Sequence, residues 1–154
     1  MMRFAYRPLS LIRPAPTLGG RLTRYLPVIT VGIEGPQNTF PIPCRLDSGS
    51  DDTIVPVAVA HQTGIDLSGA PEGESQGVGG NPIRYPCALV TLRISDGVES
   101  CSWQAMVGFI NVPRRFGLLG LAGFLDYFDT RLLGQLREVQ LEPNGLFPGR
   151  HIVH

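Results

Sequence analysis

The sequence predicts one all-β domain carrying one or two short helices, and three observations predict it. There are 19 glycines and 14 prolines among 154 residues, enough to cut the chain into many short elements. Between these breaks lie β-branched apolar runs of strand length, several of them alternating inward and outward positions. Charged residues are only 17% against 43% hydrophobic, too apolar a mixture for a disordered chain, and the length suits a single domain.

The elements follow in order. Residues 1–24 are interrupted by Pro8, Pro14 and Pro16 and read as a solvated extension. The domain is expected over residues 25–143. It opens with a strand at 27–35 that ends in the turn signal Gly35-Pro36-Gln37-Asn38. A second strand starts at Thr39; its Pro41 and Pro43 predict an edge position or a bulged start. Pro56 suits the opening of a short helix over Val57–Thr63, and Gly64 suits its close. Residues 68–75 read as a loop. The longest strand is expected at 84–95, where Leu89, Thr91 and Arg93 oppose Val90, Leu92 and Ile94. Asp96-Gly97 is a hairpin signal leading into a partner strand at 98–110. Residues 116–120 read as a buried strand, 122–128 as a short helical turn and 138–143 as a last strand. Pro143, Gly145, Pro148 and Gly149 mark residues 144–154 as a loose tail. Core candidates are Ile54, Leu89, Leu92, Trp103, Leu118, Leu119, Phe124 and Leu125. Many short strands with little helix point to a closed barrel or a sandwich.

Composition removes several functions. All 13 cations are arginine, which excludes lysine Schiff-base chemistry and a P-loop lysine. The formal net charge is zero, against a dedicated nucleic-acid binder. Cys44, Cys87 and Cys101 form no C-x-x-C pair and read as reduced thiols; with His61 on the surface and His151 and His154 in the tail, no metal and no cofactor is expected. Gly77-Val78-Gly79-Gly80 is no dinucleotide loop, because Pro82 follows where a helix would be needed. No run approaches the ~18 apolar residues of a membrane span, and the start lacks the apolar stretch of a signal peptide, so a cytoplasmic address is the default expectation. The first acid is Glu34, after five arginines.

The chemistry-bearing stretch is Arg45-Leu46-Asp47-Ser48-Gly49-Ser50-Asp51-Asp52-Thr53. An apolar strand runs into Asp47, two hydroxyl residues can brace the loop, and Gly49 permits close backbone approach. The same four residues, Asp-Ser-Gly-Ser, also make an ordinary Asx turn with no function. The longer run LDSGSDDTIVP resembles the catalytic loop of retropepsin-like aspartic proteases. SQGVGGNPIRYP resembles their flap, with Gly77, Val78, Gly79 and Gly80 at its tip. Phe116-Gly117-Leu118-Leu119-Gly120 resembles their apolar-apolar-Gly strand behind the catalytic loop, and Ala122–Phe128 their following short helix. The resemblance covers roughly residues 27–143.

That resemblance implies a closed acid-protease barrel and an aspartic endopeptidase that works as a homodimer on a polypeptide substrate. One chain carries one such Asp, so each subunit would supply Asp47 to a shared water. Ser48 and Gly49 would pin and approach the carboxylates. Ser50, Asp51, Asp52, Val78, Gly79 and Gly80 would contact substrate. The strands at Tyr25–Ile29 and Glu138–Leu141 would interleave with those of the partner. Retroviral members place an arginine after the apolar-apolar-Gly motif; here Leu121 stands there, leaving Asp51 to pair with Arg45 or Arg131 or to stay solvated. Two other readings stay open: a catalytically silent dimerisation or peptide-binding module of the same fold, and a structural barrel in which Asp-Ser-Gly-Ser is only a turn.

Overall fold

The structure is a computed structural model describing residues 1–76 and 79–154. In chain order it has strands β1 (Met2–Ala5), β2 (Arg7–Ala15), β3 (Arg21–Leu26), β4 (Val28–Glu34), β5 (Thr39–Leu46) and β6 (Ile54–Pro56). Helix α1 (Val57–Thr63) comes next, followed by β7 (Glu72–Ser75), β8 (Ile83–Ser95), β9 (Glu99–Ile110) and β10 (Gly117–Leu119). The chain ends with β11 (Phe128–Leu133), β12 (Glu138–Pro143) and β13 (Arg150–Val153). Single 3-10 turns lie at Pro16–Leu18 and Leu125–Tyr127. The protein is mostly β, as its punctuation predicts.

Pairing runs in a circuit through six strands. β5 pairs antiparallel with β4, β4 with β8, and β8 with β9. β9 then runs parallel to β6, β6 antiparallel to β10, and β10 parallel to β5. β7 extends β8 outward, β13 borders β9, and β1, β12 and β11 form a separate three-stranded sheet in that order. Alternation fills the interior. Val90, Leu92 and Ile94 of β8 and Cys101, Trp103, Ala105 and Val107 of β9 point inward with Val31 and Ile33 of β4.

The expected core is corrected at Leu89, which is 59% exposed. Its place in the two-residue period is with Thr91 and Arg93, on the outer face. Leu118 and Leu125 are half-buried, whereas Ile54, Leu92, Leu119 and Phe124 are buried. Trp103 is a core residue. Its ring meets Phe124, Phe128 and Phe147 at centroid distances of 5.7, 5.3 and 5.6 Å, and its Nε1 donates to Gly123 O at 2.9 Å. Trp103→Ala is expected to lower stability by about 3–5 kcal/mol in a denaturant titration, because it opens a cavity among three rings.

The prolines of β5 do not make it an edge strand. Leu46 N donates to Pro27 O on the β4 side and Asp47 N to Leu119 O on the β10 side. Counting back by twos puts the nitrogens of Pro41 and Pro43 on the second side, where β10 begins only opposite Cys44. No ladder bond is lost. Helix α1 has the predicted bounds, ended by Gly64 at φ 74°, and the Leu125–Tyr127 turn falls inside the predicted helical segment. Residues 72–75, read as loop, form β7, and β11 was not anticipated.

The N-terminal segment is not a solvated tail. Met2 is fully buried, and β1 pairs with β12 from Met2 opposite Leu141 to Ala5 opposite Glu138. β2 and β3 form a hairpin on which Arg7 donates to Thr30. The C-terminal tail is likewise held, through β13. These pairings overturn the expected interleaving of Glu138–Leu141 with a partner, since both edges of β12 are occupied by β1 and β11 of the same chain. Residues 25–29 are paired along one edge, Tyr25 and Leu26 of β3 with β2 and Val28 and Ile29 of β4 with β5.

The Asp96-Gly97 turn closes β8 and β9 as predicted, with Gly97 at φ 93°. Partial burial works against the charge of Asp96, but backbone N–H groups of Glu99, Arg3 and Val98 outweigh it and hold the carboxyl below its usual range. Its stabilising contribution is therefore present above about pH 4 and lost as pH falls through the depressed folded value. Acid titration of unfolding should show Asp96→Asn losing less stability than the wild type between pH 4 and 2.

Candidate active site

The loop after β5 is built by the strands around it. β5 delivers Asp47 to the end of the sheet, where Asp47 N is fixed by Leu119 O at 3.0 Å. Ser50 N donates to Asp47 O at 3.1 Å and Gly49 N to Asp47 Oδ1 at 2.9 Å, an Asx turn that orients the carboxylate. Asp47 is half-buried, and Ser48 and Gly49 are exposed beside it.

The far side of the loop rests on the segment after β10. Leu121 N donates to Ser50 O at 2.9 Å, and Ala122 N to Asp51 O at 2.8 Å. Ser50 is buried, its hydroxyl donating to Asp52 O at 2.7 Å, and Thr53 Oγ1 donates to Ala122 O at 2.9 Å. Gly120 makes this seat possible. A Cβ there would lie 2.2 Å from Asp52 O and 2.5 Å from Ser50 O.

The two acids that follow have different surroundings. Asp51 is exposed and, among the described residues, forms no ion pair with Arg45, Arg131 or any other cation. Asp52 is half-buried and accepts the Tyr85 hydroxyl on Oδ2 at 2.5 Å. Of the expected flap tip, Gly77 and Val78 lie outside the described residues. Gly79, with φ 68°, and Gly80 are exposed in the connection from β7 to β8.

Beside Ser48 lies an apolar cleft of about 330 Å³ lined by Leu46, Leu121, Leu125, Phe128, Thr130 and Leu132. Leu121 is 39% and Leu132 54% exposed. The three thiols are free, and burial pushes Cys44 up to about 12 and Cys101 up to about 11, so neither is a nucleophile near neutrality. Among the described residues no three or more metal-ligating side chains come together.

Sequence reasoning missed Tyr85 and the contact role of Gly120. Tyr85 stands 33 residues from its partner Asp52, and no local pattern marks it. Gly120 was part of a recognised motif, but only the tertiary structure reveals the carbonyls against it.

No family model matches the chain, and no curated protein matches it. Among solved structures it is similar to the solution structure of simian foamy virus (mac) protease at 18% identity and a TM-score of 0.38, over 61% of this chain and 87% of that one.

Proposed function

We propose that the protein is an aspartic endopeptidase of the retropepsin type, an acid-protease barrel that acts as a homodimer. The observation that carries this reading is the Asp47 loop: a carboxylate at a strand end, oriented by the Gly49 amide and seated on the backbone of Gly120–Ala122. An Asx turn without function would not need so many backbone restraints from a distant segment.

Peptide hydrolysis of this kind uses two carboxylates on one water. The chain has a single Asp-Ser-Gly sequence, so the second carboxylate is Asp47 of a second copy related by a twofold axis. Two carboxyl groups ~3 Å apart cannot both ionise cheaply, so the pair shares a proton. The ionised member takes a proton from water, and the protonated member donates to the scissile carbonyl oxygen. The roles then exchange as the amine leaves. Ser48, exposed next to Asp47, would meet its mate across the axis, and the apolar cleft bounded by Leu121 and Leu132 would be covered there. The β7–β8 hairpin, with Gly79 and Gly80, would close over an extended peptide that adds as a strand, with Ser50, Asp51 and Asp52 on the adjacent loop.

The test is digestion of a peptide library from pH 3 to pH 7, with and without a pepstatin-type inhibitor, alongside a mass measurement of the protein in solution. Cleavage that rises and falls with pH, is blocked by the inhibitor and tracks the dimer supports the reading. A dimer that binds peptides without cleaving them is the silent module. A monomer without either property is a structural barrel.

A further inference from the structure

Tyr85 is 1% exposed, yet it lies in the part of β8 that has left the main circuit. β8 pairs with β9 from Cys87 to Ser95, whereas Ile83–Pro86 pair with β7 alone. Cys87 opposite Gly108 is the last rung. Beyond it β7 and β8 project as a two-stranded ribbon, which is marginal without further support.

The Tyr85 ring sits at the root of that ribbon. It packs with Ile54 of β6 and Ile110 of β9. It also fills a slot between Gly73 of β7 and Gly108 of β9, where a Cβ would fall 2.6 and 2.5 Å from ring carbons. The slot leaves the hydroxyl one described partner, Asp52 Oδ2 at 2.5 Å. Burial first, and the Asp52 carboxylate second, push the phenol well above its usual range, so it remains a donor. The backbone of Asp52 belongs to the Asp47 loop, held by the Ser50 hydroxyl and bridged to Ala122.

We propose that the Tyr85 hydroxyl and the Asp52 carboxylate form a latch that sets the β7–β8 ribbon over the Asp47 loop, making both of them positioning residues. Asp52 then serves the ribbon before it serves any substrate. The kinetic part of the test rests on the protease reading; the structural part does not. Tyr85→Phe keeps the ring in its slot and removes only the hydroxyl. Asp52→Ala removes the acceptor, and Asp52→Asn keeps an acceptor oxygen.

Amide hydrogen exchange on the full chain decides the structural part. In Tyr85→Phe, exchange at Glu72–Ser75 and Ile83–Tyr85 should rise about tenfold or more, with β4 and the middle of β9 unchanged. Asp52→Ala should do the same, the double variant no more than either single, and Asp52→Asn should stay near wild type. With a cleavable peptide, KM should rise several-fold in Tyr85→Phe while kcat holds. Unchanged ribbon exchange in Tyr85→Phe overturns the latch, as does an increase spread evenly over all strands or full additivity in the double variant. A wild type that cleaves no peptide sinks the protease reading alone, and the exchange results still decide the latch.

Discussion

Asp47→Asn should leave the fold unchanged and remove peptide cleavage. Asparagine is isosteric, and its Oδ1 can still accept the Gly49 N–H that Asp47 Oδ1 accepts at 2.9 Å. Thermal unfolding and the circular dichroism spectrum should therefore match the wild type. On the proposed protease reading, what is lost is the proton chemistry, because an amide would neither take a proton from water nor share one with a second Asp47. General acid–base catalysis is worth about 10²–10⁴-fold in rate, and the proposed dyad would lose both partners when each chain carries Asp47→Asn, so kcat should drop by at least the upper figure. A variant with ordinary turnover would end the catalytic assignment of Asp47. Mixed dimers of wild-type and variant chains sharpen the result: if each active site needs one Asp47 from each subunit, they are as inactive as the pure variant.

Gly120→Ala should be among the most damaging single substitutions in the protein, although it adds one methyl group. That carbon would stand 2.2 Å from Asp52 O and 2.5 Å from Ser50 O, both on the backbone of the loop. A flexible side chain could swing away; a carbonyl held by Leu121 N, as Ser50 O is at 2.9 Å, cannot. Relief requires the Asp47 loop and the segment after β10 to separate, breaking the bonds at Ser50 and Asp51 together. Overpacking of a tight core costs about 1–3 kcal/mol, and lost buried hydrogen bonds add to it. The expected outcome is a loss at or above the top of that range in urea, with any folded fraction inactive. Gly134→Ala is the control, since no atom lies within 4 Å of the added carbon. Equal stability of the two variants would show that the loop seat is not rigid.

Helix α1 and the Asp96-Gly97 hairpin were legible because proline, glycine and Asx chemistry act locally. The buried face of β8 was legible in its two-residue alternation, and Leu89 was misplaced only where that period was set aside for hydrophobicity. The Asp47 loop stood out because its turn-forming residues are consecutive. The extension at residues 1–24 was not legible. Its prolines signal interruption, but strand pairing of Met2–Ala5 depends on an edge offered by β12, more than 130 residues away. β7 was hidden for another reason: its four residues, Glu-Gly-Glu-Ser, carry no apolar alternation, although its pairing with β8 is close in the chain, Ser75 opposite Ile83.

By itself the sequence determined a mostly β chain, a lone Asp-Ser-Gly loop and the absence of lysine and metal-ligand spacing, because residue type and short-range period carry those properties. Only the tertiary structure decided that both termini are held in sheets, that Gly120 seats the loop, and that Asp52 is taken by Tyr85 while Asp51 is exposed. Those are contacts between segments far apart in the chain, and their geometry exists only once the strands have paired.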